Sequence, residues 1–210
     1  MKTAKSLFKI HEDVPADHYD QGIKRNLLQK YWHLRRFTEV LRVVEPSQGP
    51  ILDVGCHSGT FTKVLRSKLK AKNIYGIDVS SSAIALAKKR LPYGNFQVAD
   101  AAKLPFQNNF FQDVFCLEVL EHIDDPISAV EEINRVLKKK GKLYILVPSD
   151  NKLFRMVWLL WTFYYPHWRH AHVQSYNNDV LEKILTQIGF KLLAVKTFNL
   201  GMLKLIVCKK

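Results

Sequence analysis

Residues 51–60 read Ile-Leu-Asp-Val-Gly-Cys-His-Ser-Gly-Thr, and this stretch leaves the chain little choice of architecture. Ile51 to Val54 has the apolar character of a short buried strand, interrupted only by Asp53. Gly55 and Gly59 open a turn, and apolar residues then recur at Phe61, Val64, Leu65 and Leu69, the spacing of a helix over 60–69. A strand that turns through glycines into a helix aims backbone N–H groups and the positive end of a helix dipole at one spot. In an open parallel sheet that spot lies at the carboxyl edge and serves a nucleotide-like ligand.

The kind of ligand follows from what the turn lacks. A dinucleotide fingerprint begun at Gly55 needs glycine at positions 57 and 60, where this chain has His57 and Thr60. The G-x-x-x-x-G-K-[ST] phosphate loop is absent as well. Asp53 stands just before the turn, where a carboxylate suits a cationic ligand group better than a pyrophosphate. Further along, 73–79 has the pattern of a second strand, and Asp78 near its end comes nineteen residues after Gly59. An acid there suits hydrogen bonding to a ribose diol, since a carboxylate accepts from both hydroxyls with charge-assisted strength. Ser80, Ser81 and Ser82 offer N-caps for a helix running to about Arg90. Residues 95–99 form a third strand with Asp100 at its end, and 113–117 a central strand followed by Glu118-Val119-Leu120-Glu121-His122.

Taken together, Leu52-Asp53-Val54-Gly55-Cys56-x-Ser58-Gly59, Tyr75-Gly76-Ile77-Asp78-Val79-Ser80, Val98-Ala99-Asp100-Ala101 and Leu117-Glu118-Val119-Leu120-Glu121-His122-Ile123 form an ordered set. The set resembles the class I S-adenosylmethionine-dependent methyltransferases of the broad type 11 group, over roughly residues 50 to 148. His57 departs from the pattern, which usually has glycine there. The resemblance implies an α/β fold with a Rossmann-like seven-stranded, mostly parallel sheet, helices on both faces and a C-terminal antiparallel hairpin. It implies S-adenosyl-L-methionine as cofactor, held at Asp53, Gly55, Cys56, Gly59, Asp78 and Val79. Asp100 would accept from the adenine amine, and the Ala101 N–H would reach a ring nitrogen. Backbone around Leu117 and Glu118 would hold the amino-acid end, and Val119 and Leu120 would wall the pocket. The N-terminal region would fold over the cofactor, making Tyr19 and His33 candidates.

The remaining segments dress this frame. Residues 1–20 are polar and irregular, with Pro15 against an early helix, and suggest a mobile arm or lid. From Ile23 to Val44 the spacing of Leu27, Leu28, Tyr31, Trp32, Leu34, Phe37, Val40 and Leu41 predicts one amphipathic helix against the sheet, with Arg36 solvated. Pro126 begins a helix through Val136 and Leu137, stopped by Lys138-Lys139-Lys140-Gly141, and 142–147 is a further strand. Residues 149–176 form an aromatic cap insertion, so that a single methyltransferase domain over 1–210 carries an N-terminal arm and helix (1–45) and this cap. In the cap, Leu153, Val157, Leu160, Trp161 and Tyr164 share one helical face, while Phe154, Trp158 and Tyr165 form another, read as the outer one. Two apolar faces need two burial partners, among them packed core, an acceptor, another chain or a membrane interface over 153–168. His167, His170 and His172 follow, without the acidic or Cys partners of a zinc site. His172 to Asn177 resembles the family's H-x-x-x-Y-[ST] stretch, and 180–188, 190–198 and 202–208 read as a last helix and hairpin.

Composition bounds the function. The chain has 210 residues, enough for one domain with a substantial core. Its longest strongly apolar run, Met156 to Tyr165, is well short of the ~20 residues a spanning helix needs. No N-terminal apolar region marks a secretory signal, and three cysteines without a C-x-x-C pair suit buried thiols in a reducing cytosol. A net charge of +13 raises nucleic acid or an anionic membrane as partners, but the basic residues are scattered, many at helix ends, as solvated cations would be. The expected reaction is methyl transfer to an oxygen or nitrogen on a small or lipid-linked molecule. Methylation of RNA or protein, or an inactive cofactor-binding scaffold, are the rivals. The donor carries its own activation, so no metal is required, and His122, His33, His170 or His172 could serve an acceptor that needs a base.

Overall fold

The computed structural model describes residues 15–164, 174, 176 and 179–210, and for His18, Tyr19, Arg25, Trp161 and Tyr164 it describes the backbone only. The strands are β1 (Ile51–Val54), β2 (Ile74–Asp78), β3 (Asn95–Val98), β4 (Phe111–Leu117), β5 (Leu137–Pro148), β6 (Lys191–Phe198) and β7 (Leu203–Lys209). They form one seven-stranded sheet in the order β3-β2-β1-β4-β5-β7-β6. β1 to β5 run parallel, and β7 lies antiparallel between β5 and β6. This is the Rossmann-like sheet with a reversed C-terminal hairpin that the motif order implies.

The helices are α1 (His18–Arg25), α2 (Leu27–Val43), α3 (Thr60–Leu69), α4 (Ser81–Arg90), α5 (Pro126–Val136), α6 (Lys152–Tyr164) and α7 (Val180–Gln187). Side-chain alternation along the strands feeds two cores. Leu52, Val54, Val114, Cys116, Leu143 and Ile145 face α5 and α7, meeting Val130, Ile133, Leu181 and Leu185. Ile51, Phe115, Tyr144 and Leu205 face the other side, where Val40 of α2 and Leu65 and Leu69 of α3 cover them. Phe115 and Tyr144 stack at 4.6 Å between ring centroids. A sheet covered on both faces needs near-continuous apolar strands, which is why Asp53 is conspicuous in β1.

α2 runs against the strand direction. Beyond its C-terminal end, Glu45 pairs with Lys142 early in β5, while Arg36, about two turns before that end, pairs with Glu118 just past the tip of β4. The first turns of α2 therefore stand at the carboxyl edge of the sheet.

Several expectations are corrected. The single helix expected over 23–44 is two helices, because Asn26 takes extended backbone and caps α2 by accepting from the N–H groups of Leu28 (2.9 Å) and Gln29 (3.1 Å). The supposedly irregular arm is helical from His18. The buried side of α2 is not its Leu-rich stripe: His33, Arg36, Glu39 and Val40 are buried, while Leu27, Leu28, Tyr31 and Leu34 are exposed. Ion pairs from Arg36 to Glu118 and from Glu39 to Lys196 turn that polar side inward. Lys138 to Gly141 do not stop α5 as a loop; β5 begins at Leu137, and an irregularity in register between Phe111 and Asp113 absorbs the lysines. In α6 the faces are reversed: Phe154 and Thr162 are buried and Trp158 half-buried against Phe154, whereas Val157 and Leu160 are exposed. Tyr165, His167, Trp168, His170, His172 and Asn177 lie outside the described residues.

Candidate active site

The glycine turn is built by steric exclusion and by one acid. Gly55 has φ 71°, and a Cβ there would lie 2.2 Å from Cγ2 of Val119, so only glycine fits between β1 and the segment after β4. Gly59, at φ 74°, starts α3. His57 shares the left-handed backbone at φ 46°, which a side chain disfavours. Its N–H donates to Oδ2 of Asp78 at 2.8 Å, and Oδ1 of Asp78 accepts from the Ser80 N–H at 2.9 Å. Asp78 therefore braces the turn from the end of β2. The Cys56 side chain is buried with Ile84, Ala87, Leu91 and Phe96, so this residue serves the turn with its backbone.

Between the turn and α2 lies a cleft lined by Arg36, Phe37, Asp53, His57, Phe61, Leu117, Glu118 and Leu146, among others. Phe37 and Phe61 stack across it at 4.3 Å. Asp53 is buried at its floor and accepts from the Thr62 hydroxyl at 2.6 Å. Burial pushes the Asp53 carboxyl up to about 7; the Thr62 hydrogen bond opposes the rise and nearby Asp78 adds to it. An acid poised there ionises readily beside an arriving cation. Opposite it, Arg36 forms an ion pair with Glu118 and donates to Nδ1 of His33, since a guanidinium only donates. Glu118 takes φ 58° at the strand tip, with its N–H donating to the Leu146 carbonyl at 2.7 Å.

Other expected site residues are not among those that line this cleft. Val79, Asp100 and Ala101 continue the carboxyl edge over β2 and β3; Asp100 accepts from the Ala102 N–H at 2.9 Å and so shapes its own turn. His122 ends a 3₁₀ turn, Leu120–His122, and is not among the cleft-lining residues. Tyr19 lies in α1, its side chain outside the description, and His172 lies outside the described residues. Sequence reasoning missed Arg36, read as solvated, and Glu121. Glu121 is buried in the 3₁₀ turn, its Oε2 without a hydrogen-bond partner among the described residues, and burial pushes its carboxyl up to about 8 against the opposing pulls of a backbone hydrogen bond and of Arg36. An apolar or polar neighbour across the sheet leaves no trace in local spacing, so neither residue had a sequence signal beyond its position beside a motif.

A family model described as a methyltransferase domain matches residues 27–195. The chain belongs to that family. A demethylmenaquinone methyltransferase of Thermotoga maritima is 31% identical over 172 residues, covering 80% of this chain and 72% of that protein. An O-methyltransferase of Pyrenophora dematioidea is 34% identical over 179 residues, covering 76% and 61%. Among solved structures, a chain from the complex between the Haloferax volcanii Trm112 methyltransferase activator and a methyltransferase has TM-score 0.75 at 17% identity, covering 92% of this chain and 96% of that one. At that identity the likeness speaks to the fold alone. This chain is an S-adenosylmethionine-dependent methyltransferase.

The cleft of this methyltransferase fits that cofactor by its own chemistry. Among the described residues Asp53 is a buried carboxylate with no cationic side chain bonded to it, Arg36 supplies a guanidinium, and Gly55 lines the cleft with backbone alone. A cation, a carboxylate and a nucleoside on one molecule match those three features together.

Proposed function

We propose that this methyltransferase moves a methyl group to an oxygen or nitrogen of a small apolar or lipid-linked acceptor, with 149–176 acting as a cap over the acceptor. The observation that carries this reading is the position of α6, an apolar helix that begins at the carboxyl end of β5 on the same sheet edge as the cleft. The cleft walls Phe37, Phe61, Leu117 and Leu146 are apolar as well. Support also comes from the relatives, one named for demethylmenaquinone and one an O-methyltransferase.

In this reading Asp53 holds the ammonium of the cofactor, Arg36 its carboxylate and Asp78 its ribose, while Asp100 and Ala101 meet the adenine. When bound, S-adenosylmethionine supplies an activated methyl group on a sulfonium. The chain's residues bind and orient it and keep water out. His33 is spent on Arg36 and positions it, which leaves His122 and His172 as candidates for a base where the acceptor needs one.

Calorimetry tests the cofactor half: S-adenosylmethionine should bind, and Asp78→Ala should weaken it by about 1.5–3 kcal/mol, the usual loss for charge-assisted hydrogen bonds. For the acceptor, the protein is incubated with labelled cofactor and total cell extract, then fractionated. Label in the lipid or small-molecule fraction supports the reading. Label confined to RNA or protein overturns it.

A further inference from the structure

We propose that the carboxyl-edge end of this molecule docks on an anionic lipid bilayer. Three separate segments place large apolar side chains in solvent at that end. In the first turns of α2, Leu27 and Leu28 are 84% and 81% exposed. At the turn between β6 and β7, Leu200 is 83% exposed. On α6, Leu159 and Leu160 are 67% and 59% exposed, on the side away from buried Phe154. Topology brings the three together: α2 starts at the carboxyl edge, the β6–β7 turn lies there beside Pro148, and α6 leaves β5 at the same edge. The start of α6 is also tied to that turn, where the Ser149 N–H donates to the Met202 carbonyl at 3.0 Å and Asn151 Nδ2 to the Leu200 carbonyl at 3.3 Å.

Charge selects the occupant. Lys30 and Lys152 are exposed on two of these segments and Lys24 on α1 just before α2, while Asp20 and Asp150 are matched by Arg90 and Arg155. These three segments are apolar and, among the described residues, carry unpaired positive charge, on a chain of net charge +13, whereas the exposed acids of the same edge, Asp100, Asp124 and Asp125, follow β3 and β4. A second copy would bring two cationic surfaces together, which repel. A bilayer takes leucines into the acyl boundary and lysines among anionic headgroups at once. The docking rests on these side chains alone. That the cleft opens on the same edge adds a consequence, resting on the acceptor reading: a bilayer-dissolved acceptor would meet the site without crossing water.

Flotation of the full chain with vesicles tests this without any acceptor. The protein should float with phosphatidylcholine vesicles containing phosphatidylglycerol, less with phosphatidylcholine alone, and less as salt rises. Leu159→Ser with Leu160→Ser, and separately Lys30→Glu with Lys152→Glu, should each lower partitioning by about tenfold or more. Tyr93→Ser, at the opposite edge just before β3, should leave it unchanged. Melting curves and cofactor calorimetry confirm that each variant is folded. The proposal is overturned by no flotation with the anionic vesicles, by equal flotation of both patch variants and wild type, or by concentration-dependent dimers without vesicle binding. Those outcomes leave the labelled-methyl experiment, and the acceptor reading, standing.

Discussion

His57 shows how one side chain can sit against its own backbone. Its φ of 46° lies where a Cβ costs roughly 1 kcal/mol, yet the Asp78 carboxylate holds its N–H in place. The brace comes from Asp78 and is independent of the imidazole, so the turn should survive its removal. His57→Gly is expected to raise thermal stability by about 1 kcal/mol or leave it level, because glycine relieves the strain but frees the unfolded chain. Cofactor affinity should stay near wild type or improve. Complete loss of binding in His57→Gly, measured by calorimetry on folded protein, would mean that the ring itself holds the cofactor.

At the scale of elements, α1 is latched to the glycine turn. Asp20 accepts from the Thr60 hydroxyl at 3.1 Å and pairs with Arg90. Arg90 also donates to the Ser58 hydroxyl at 2.8 Å and the Thr60 hydroxyl at 2.7 Å. One guanidinium thus joins α4, the turn and the helix that leads into the cleft-covering α2. Charge-assisted bonds in a partly buried network contribute about 1–2 kcal/mol. Arg90→Met, which keeps length and loses the donors, should therefore speed cofactor dissociation by about fivefold or more, with faster amide exchange in α1. An unchanged dissociation rate in stopped flow, with α1 exchange also unchanged, would show that the latch closes nothing.

At the scale of the whole molecule, what was legible in the sequence was local, and what was not was long-range. The bounds of α3 and the run of Pro126 into α5 followed from apolar spacing, glycine and proline. That Asp53 and Asp78 stand at the glycine turn was legible because strand ends at one sheet edge must converge, while their hold on the cofactor belongs to the proposed function. The Arg36–Glu118 pair, the inward polar side of α2 and the burial of Glu121 depend on partners across the sheet, and local periodicity assigns a leucine stripe inward by default. Those buried acids also set how stability follows pH. Burial raises Asp53 to about 7 from its ordinary 3.8 and Glu121 to about 8 from 4.5, so the folded chain binds more protons than the unfolded one between about pH 4 and 8. Stability from these groups is greatest below the unfolded values, falls through that window by about 1 kcal/mol per pH unit from each, and levels off above it. Glu39, which Lys196 holds below the usual range, and Asp125, held there by Ser128, act with the opposite sign, their contribution being lost as pH falls below about 4. The protein without cofactor should then be most stable near pH 4, and scanning calorimetry from pH 4 to 8 should show a falling melting temperature. Glu121→Gln should flatten the upper part of that fall, and Asp53→Asn the part below about 7. On the proposed binding mode, with the cofactor's cation beside Asp53, S-adenosylmethionine should flatten the same part in the wild type and bind more tightly as pH rises toward 7. A wild-type slope that both substitutions leave intact would place the titrating groups elsewhere.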